Sequence, residues 1–155
     1  MSEVKPRLWH GPIASEAQAR SIIAWASWPL ILLSLPAGWQ GVSAFLRGLI
    51  RHGGGSIFGL SIQLVPFILL FAPSFLLLRT RSVAAAFAVL AITSFAAILG
   101  VGVSIHMAAM GSRMAVPLVV FALFSLAFVM QAWRALQAVK ALPRLKTMEV
   151  FSEDD

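Results

Sequence analysis

Apolar residues run through this chain in four long blocks, and basic residues mark where each block stops. The stretches 21–46, 52–78, 82–112 and 114–133 contain no Asp, Glu, Lys or Arg. About 20 apolar residues cross a bilayer core as an α-helix. Runs such as Val65 to Leu78 do not alternate, which argues against the ten-residue alternating strands of a membrane β-barrel. The pattern predicts an all-α, polytopic membrane protein: a single membrane domain, 1–155, built as a bundle of four transmembrane helices. The spans are expected near 21–40, 56–78, 82–106 and 114–134.

The segments between and beyond the spans carry their own patterns. Pro12 breaks the chain, Ser15 is placed to cap the first helix, and Gln18 three residues on completes a capping box. In 41–55, Val42, Phe45, Leu46, Leu49 and Ile50 recur at helical spacing, and Gly53-Gly54-Gly55 stops any helix. This predicts a short interfacial helix on the outer leaflet. After the fourth span, Trp133, Leu136, Val139 and Leu142 continue the apolar stripe. Arg134, Lys140 and Arg144 surround it, Pro143 is expected to end the helix, and the tail turns acidic. Residues 135–155 thus read as a cytoplasmic, basic, amphipathic extension, of the kind that rests on anionic headgroups, followed by an acidic end.

Composition sharpens the membrane reading. Apolar residues make up 59% of the chain and charged residues 12%, against about 25% charged in soluble proteins. A globule this small leaves much of its surface in water and could not hide so much apolar area. There is no Cys and no Tyr, which removes disulfides, thiolate metal sites, cysteine nucleophiles and phenolic acid–base chemistry. The net charge of +6 is not a nucleic-acid patch, because the basic residues stand singly or in pairs as membrane flanks. Lys5, Arg7, Arg20, Arg79, Arg81, Arg134, Lys140, Arg144 and Lys146 fall on one side of a four-span layout, and Arg47, Arg51 and Arg113 on the other. The positive-inside rule places the richer side, with both termini, in the cytoplasm. Trp39 and Trp133 fit aromatic belts at the two interfaces. A cleavable leader, 21–35 followed by Pro36-Ala37-Gly38, is the rival reading of residues 1–38. The 20-residue lead-in, with its two acids and its helix cap, argues against it.

Small residues forecast the packing. Ala84, Ala88, Ala96, Gly100, Ser104 and Ala108 lie on a four-residue spacing in the third span. Such a stripe lets a neighbouring backbone approach, so this helix is expected to be the hub, with Val89 facing lipid.

Two constellations could carry chemistry. Residues 29–36 and 66–73 share a Pro-to-Pro pattern, and proline frees the carbonyl four residues back, here at Trp25, Leu32, Ile62 and Leu69. Pro29 and Pro66 fall near mid-depth, level with Gln63, Thr93, Ser94 and Ser125. Interrupted helices with midplane polar groups bind solutes in many transporters, although such groups also serve as glue between helices. The second constellation is His106, Met107, Met110 and Met114, one imidazole and three thioethers of the kind Cu(I) accepts; methionine also simply fills apolar gaps. No span carries an ionisable Asp, Glu, Lys or Arg, which argues against proton-coupled exchange and against paired-carboxylate catalysis.

The Ser15-Glu16-Ala17-Gln18-Ala19-Arg20 lead into a Trp-bearing span resembles small uncharacterised inner-membrane proteins of alphaproteobacteria. So does a last span running into Trp133-Arg134-Ala135 and the Leu142-Pro143-Arg144-Leu145 tail. The likeness is one of layout over most of the chain. It implies four helices in a bacterial inner (cytoplasmic) membrane and no particular activity. The function expected from these residues is a non-enzymatic structural or accessory subunit without a cofactor, acting through helix packing with the bilayer and with a protein partner or a second copy. The alternative is a small solute or ion transporter or channel subunit using the midplane polar groups. Copper handling at the outer Met/His cluster is the remote third.

Overall fold

The computed structural model describes the backbone of residues 11–52, 57–111 and 115–152, and the side chains of 11–50, 64–111 and 116–147. All regular structure among these residues is helical. The helices are α1 (Glu16–His52), α2 (Ile57–Thr80), α3 (Val83–Ala109) and α4 (Ala115–Ser152). Three of them, α1, α3 and α4, are long and apolar enough to cross a membrane, and the apolar part of α2 described at side-chain level is Leu64–Thr80. Large apolar side chains such as Phe87, Phe95, Ile98, Leu123 and Phe124 point outward, as they do in a protein whose solvent is lipid. The chain is a membrane protein.

Local chemistry sets the helix ends. Ser15 Oγ accepts from the Gln18 amide at 3.2 Å, and Gln18 Oε1 reaches back to the Ala14 amide at 2.9 Å. The capping box forms, one residue further out than the usual return bond. Glu16 adds negative charge to the first turn, where the helix dipole favours it, and pairs with Arg20. The α2–α3 link is only two residues long. Arg81 takes the left-handed conformation (φ 49°), and its amide donates to the Leu77 carbonyl at 3.0 Å. Ser82 then caps α3, its Oγ accepting from the Ala85 amide at 3.2 Å.

Three sequence expectations need correction. First, 41–52 is helical but is not a separate interfacial helix; it continues α1 without a break through Pro36. Gly38 is small enough for Phe67 of α2 to lie close alongside, and Ser43 and Arg47 bond back along the helix through the Gln40 and Ser43 carbonyls. The backbone stays helical where the leaflet was expected to bend it away. Second, Pro143 does not end α4, which runs on to Ser152. Leu142 and Leu145, on either side of the proline, both pack on the core cluster, and that packing outweighs one missing amide. Third, the buried face of α3 is Ala85, Ala86, Val89, Thr93, Ala97, Gly100 and Ser104. Only Gly100 and Ser104 of the expected stripe belong to it. Ala84 and Ala108 are exposed, and Val89 is 1% exposed, not lipid-facing. In a helix this rich in small residues several four-residue rows exist, and Val89 and Thr93 pick out the row that packs.

The helices adjoin in ring order: α1 beside α2, α2 beside α3, α3 beside α4, and α4 back against α1, with no close backbone approach across the diagonals among the described residues. No single hub results. The densest core lies at the end that holds the start of α1, the α2–α3 link and the last third of α4. It joins Ile22, Ile23, Ala26 and Leu30 to Leu77, Val89, Leu136, Val139 and Leu142.

Candidate functional site

Next to that dense end lies a cavity of about 660 Å³, open on one side. Every helix contributes to its wall: Pro29, Leu30 and Leu33 from α1, Leu70 from α2, Thr93 and Ala96 from α3, and Phe121, Phe124, Ser125 and Phe128 from α4. The three phenylalanines follow i, i+3, i+7 spacing and so share one face of α4. Leu33, Phe121 and Phe124 are each more than half exposed and form an outward rim. Leu30 and Phe128 belong to or pack on the core cluster and close the deep end.

Three of the six residues expected around the midplane, Pro29, Thr93 and Ser125, therefore meet at one cavity. Their polar chemistry is modest. Thr93 Oγ1 donates to the Val89 carbonyl at 2.9 Å and approaches that of Leu90 at 3.1 Å, while Ser125 Oγ donates to the Phe121 carbonyl at 2.9 Å. Each hydroxyl spends its proton within its own helix and keeps acceptor lone pairs. Ser94 is elsewhere, in a second groove with Leu90, Met130, Trp133 and Arg134. Pro66 is exposed. Gln63 lies on the α2 backbone, but its side chain is outside the described residues.

The outer Met/His set is only partly described. His106 and Met110 are exposed, four residues apart near the end of α3, whereas Met107 is half-buried and about 100° around the helix from His106. Met114 lies outside the described residues, so the four expected ligands are not seen together. No group of three His, Asp or Glu capable of holding a metal occurs among the described residues.

Several buried polar residues escaped the sequence reading. Ser27, Ser34 and Gly41 recur every seven residues on α1 and are all buried, and Gly38, between the last two in sequence, faces Phe67 of α2. That heptad of small residues was the available signal. Ser34 Oγ donates to the Ile31 carbonyl at 2.6 Å, while Ser27 Oγ and Ser74 Oγ are buried without a partner among the described residues. Arg134, read as a flanking charge, instead clips the lead-in to α4: it donates to the Gly11 carbonyl at 2.9 Å and to Gln137 Oε1 at 3.1 Å. No protein family matches the chain, and comparisons with curated proteins and with solved structures found no match.

Proposed function

We propose that this chain is a four-span bundle of a bacterial inner membrane, with both termini cytoplasmic, and that it serves as a non-enzymatic accessory or structural subunit. The observation that carries this reading is how the hydroxyls between the helices are used. Thr93, Ser104 and Ser125 each donate to a carbonyl of their own helix, three or four residues back. The unpartnered hydroxyls of Ser27 and Ser74 are isolated buried groups outside the lining of the cavity, which supports a packing role over the nucleophile–base pairs that enzymes need. What the fold offers a partner is surface: apolar helix faces in the membrane and, at the end with the termini, an exposed basic row. Lys140, Arg144 and Lys146 are all solvent-facing, and the Arg134–Gly11 clip holds the lead-in beside them. The nine-to-three split of basic residues supports a cytoplasmic place for this end.

The test is purification of tagged protein in mild detergent, followed by charge reversal of Lys140, Arg144 and Lys146 together. A stoichiometric partner that recurs between preparations, and that the reversal releases without unfolding the chain, is the expected result. A bare homo-oligomer, or a partner indifferent to the reversal, overturns it.

A further inference from the structure

We propose that the cavity between α1 and α4 binds a long-chain alcohol, a hydrocarbon-soluble molecule with one hydroxyl, taken from the surrounding bilayer. The route of entry selects the solubility class. The rim is Leu33, Phe121 and Phe124, apolar and turned toward the lipid. An aqueous solute meets no polar group on that path, whereas an alkyl or isoprenoid chain passes from lipid to cavity without changing environment.

The size and the walls select a discrete ligand. At about 660 Å³ the cavity falls within the ~300–1,000 Å³ usual for small-molecule sites, which are mostly apolar with a few polar groups that fix orientation. All four helices line it, so an occupant meets side chains from every helix while the rim stays open to the bilayer. A helix about 10 Å across is the rival occupant, and a cross-link at position 124 decides between the two.

The hydroxyls select the ligand's polar group. Thr93 is 4% exposed and Ser125 6%, and both protons are already donated within their helices. Their remaining lone pairs accept hydrogen bonds and cannot give them. A ligand that hydrogen-bonds to them must therefore bring a donor, which an alcohol has and an ester or ether lacks. The two oxygens lie at similar depth. An added Cβ at Gly100 would meet Phe121 and Ala122, and this antiparallel register brings Thr93 to within about one helical turn of Ser125's level. One hydroxyl near that level can reach either acceptor.

The test uses the whole chain in phosphatidylcholine nanodiscs with a diazirine-bearing long-chain alcohol and, as control, its methyl ether. The pair share the chain and differ in the O–H. The expected result is that the alcohol labels the 121–128 segment about threefold or more over the ether, the size of one membrane hydrogen bond. Unlabelled alcohol should compete. Thr93→Val with Ser125→Ala should abolish the preference while leaving ether labelling in place, and Thr93→Ser should keep it. Ala96→Phe, which fills the cavity, should lower labelling by both probes; Leu33→Trp at the rim is the substitute should that variant misfold. Equal labelling by alcohol and ether overturns the proposal. So does labelling spread over outward residues such as Phe87 and Ile98, a preference that survives loss of both hydroxyls, or a cross-link between two copies at Phe124→Cys that blocks labelling.

Discussion

At Gly38 the gap between α1 and α2 is smaller than a methyl group. A Cβ placed there would lie 2.8 Å from Phe67 Cδ2 and 3.2 Å from Cγ. These are atoms near the base of the ring, so the ring cannot evade them by swinging its far edge. Nor is Phe67 free to leave. Its ring stacks on Phe71 at 5.2 Å, and Phe71 stacks on Phe75 at 5.6 Å, a ladder along one face of α2. Gly38→Ala therefore pushes either the ladder or the helix pair, an overpacking expected to cost about 1–3 kcal/mol. Against it stands the gain of up to about 1 kcal/mol from replacing glycine within a helix. Gly48 separates the two effects. It sits on the same helix with nothing within 4 Å of its would-be Cβ, so Gly48→Ala should show the gain alone. The assay is equilibrium unfolding of detergent-solubilised protein by added SDS, followed by circular dichroism. Gly38→Ala should fall about 1–3 kcal/mol below Gly48→Ala. Phe67→Ala should remove most of that gap, since the two substitutions share one contact and couple strongly. Equal midpoints for the two glycine variants would refute the reasoning.

Other outcomes follow from the same packing. Arg81→Gly should stabilise the α2–α3 link by about 1 kcal/mol in the same unfolding assay, because a non-glycine residue in the left-handed region costs roughly 1–2 kcal/mol; a loss of stability contradicts this. Gly100→Leu should destabilise by about 1–3 kcal/mol by pressing on Phe121, whereas Ile98→Leu on the lipid face should be neutral, and equal effects speak against the assigned face of α3. The chain has no native cysteine, so single cysteines at Thr80, Met110 and Thr147 report topology cleanly. An impermeant maleimide should label position 110 and spare 80 and 147 in intact spheroplasts, and the reverse pattern inverts the proposed orientation.

Helix number and the α2–α3 link could be read from the chain because charge and capping are local signals. Arg79 and Arg81 interrupt the apolar run, and Ser82 and Ser15 do what their positions suggest. Helix length was misread where a local breaker met tertiary packing: Pro143 ends a helix in isolation, but Leu142 and Leu145 hold α4 continuous. Facing was harder still. In a soluble helix, polar residues mark the outside, and their absence here left the α3 stripe underdetermined, so Val89 was assigned to lipid although it lies in the core. The cavity shows both sides. Thr93, Ser125 and Pro29 were visible as depth-matched polar or kinked positions. The three phenylalanines that α4 adds to its wall were not, because a Phe facing a cavity and a Phe facing lipid have the same sequence signature.

The lengths of α1 and α4, 37 and 38 residues, suggest that the chain draws stability from two different solvents. At 1.5 Å per residue each helix runs to roughly 55 Å, well beyond a hydrocarbon core of about 30 Å. Within lipid, burying an apolar side chain gains only packing, since the alternative environment is equally apolar. Past the lipid boundary the alternative is water, and each buried methylene is worth about 0.8 kcal/mol. The dense core occupies the end where Arg20, Arg79, Arg81, Arg134 and Lys140 cluster along the chain, so part of it lies where water is the competitor. Val139 and Val89 make the comparison, because they are 4% and 1% exposed in the same cluster. Val139 stands next to Lys140, while Val89 lies seven residues inside the start of the uncharged 82–112 stretch. Truncation to alanine removes the same two carbons from each. Val139→Ala should cost about 1.6 kcal/mol in transfer free energy and more with the cavity it leaves, while Val89→Ala should lose only the packing contribution. Unfolding in nanodiscs measures both, and a Val89→Ala cost equal to or above that of Val139→Ala would mean that the dense end is not hydrated.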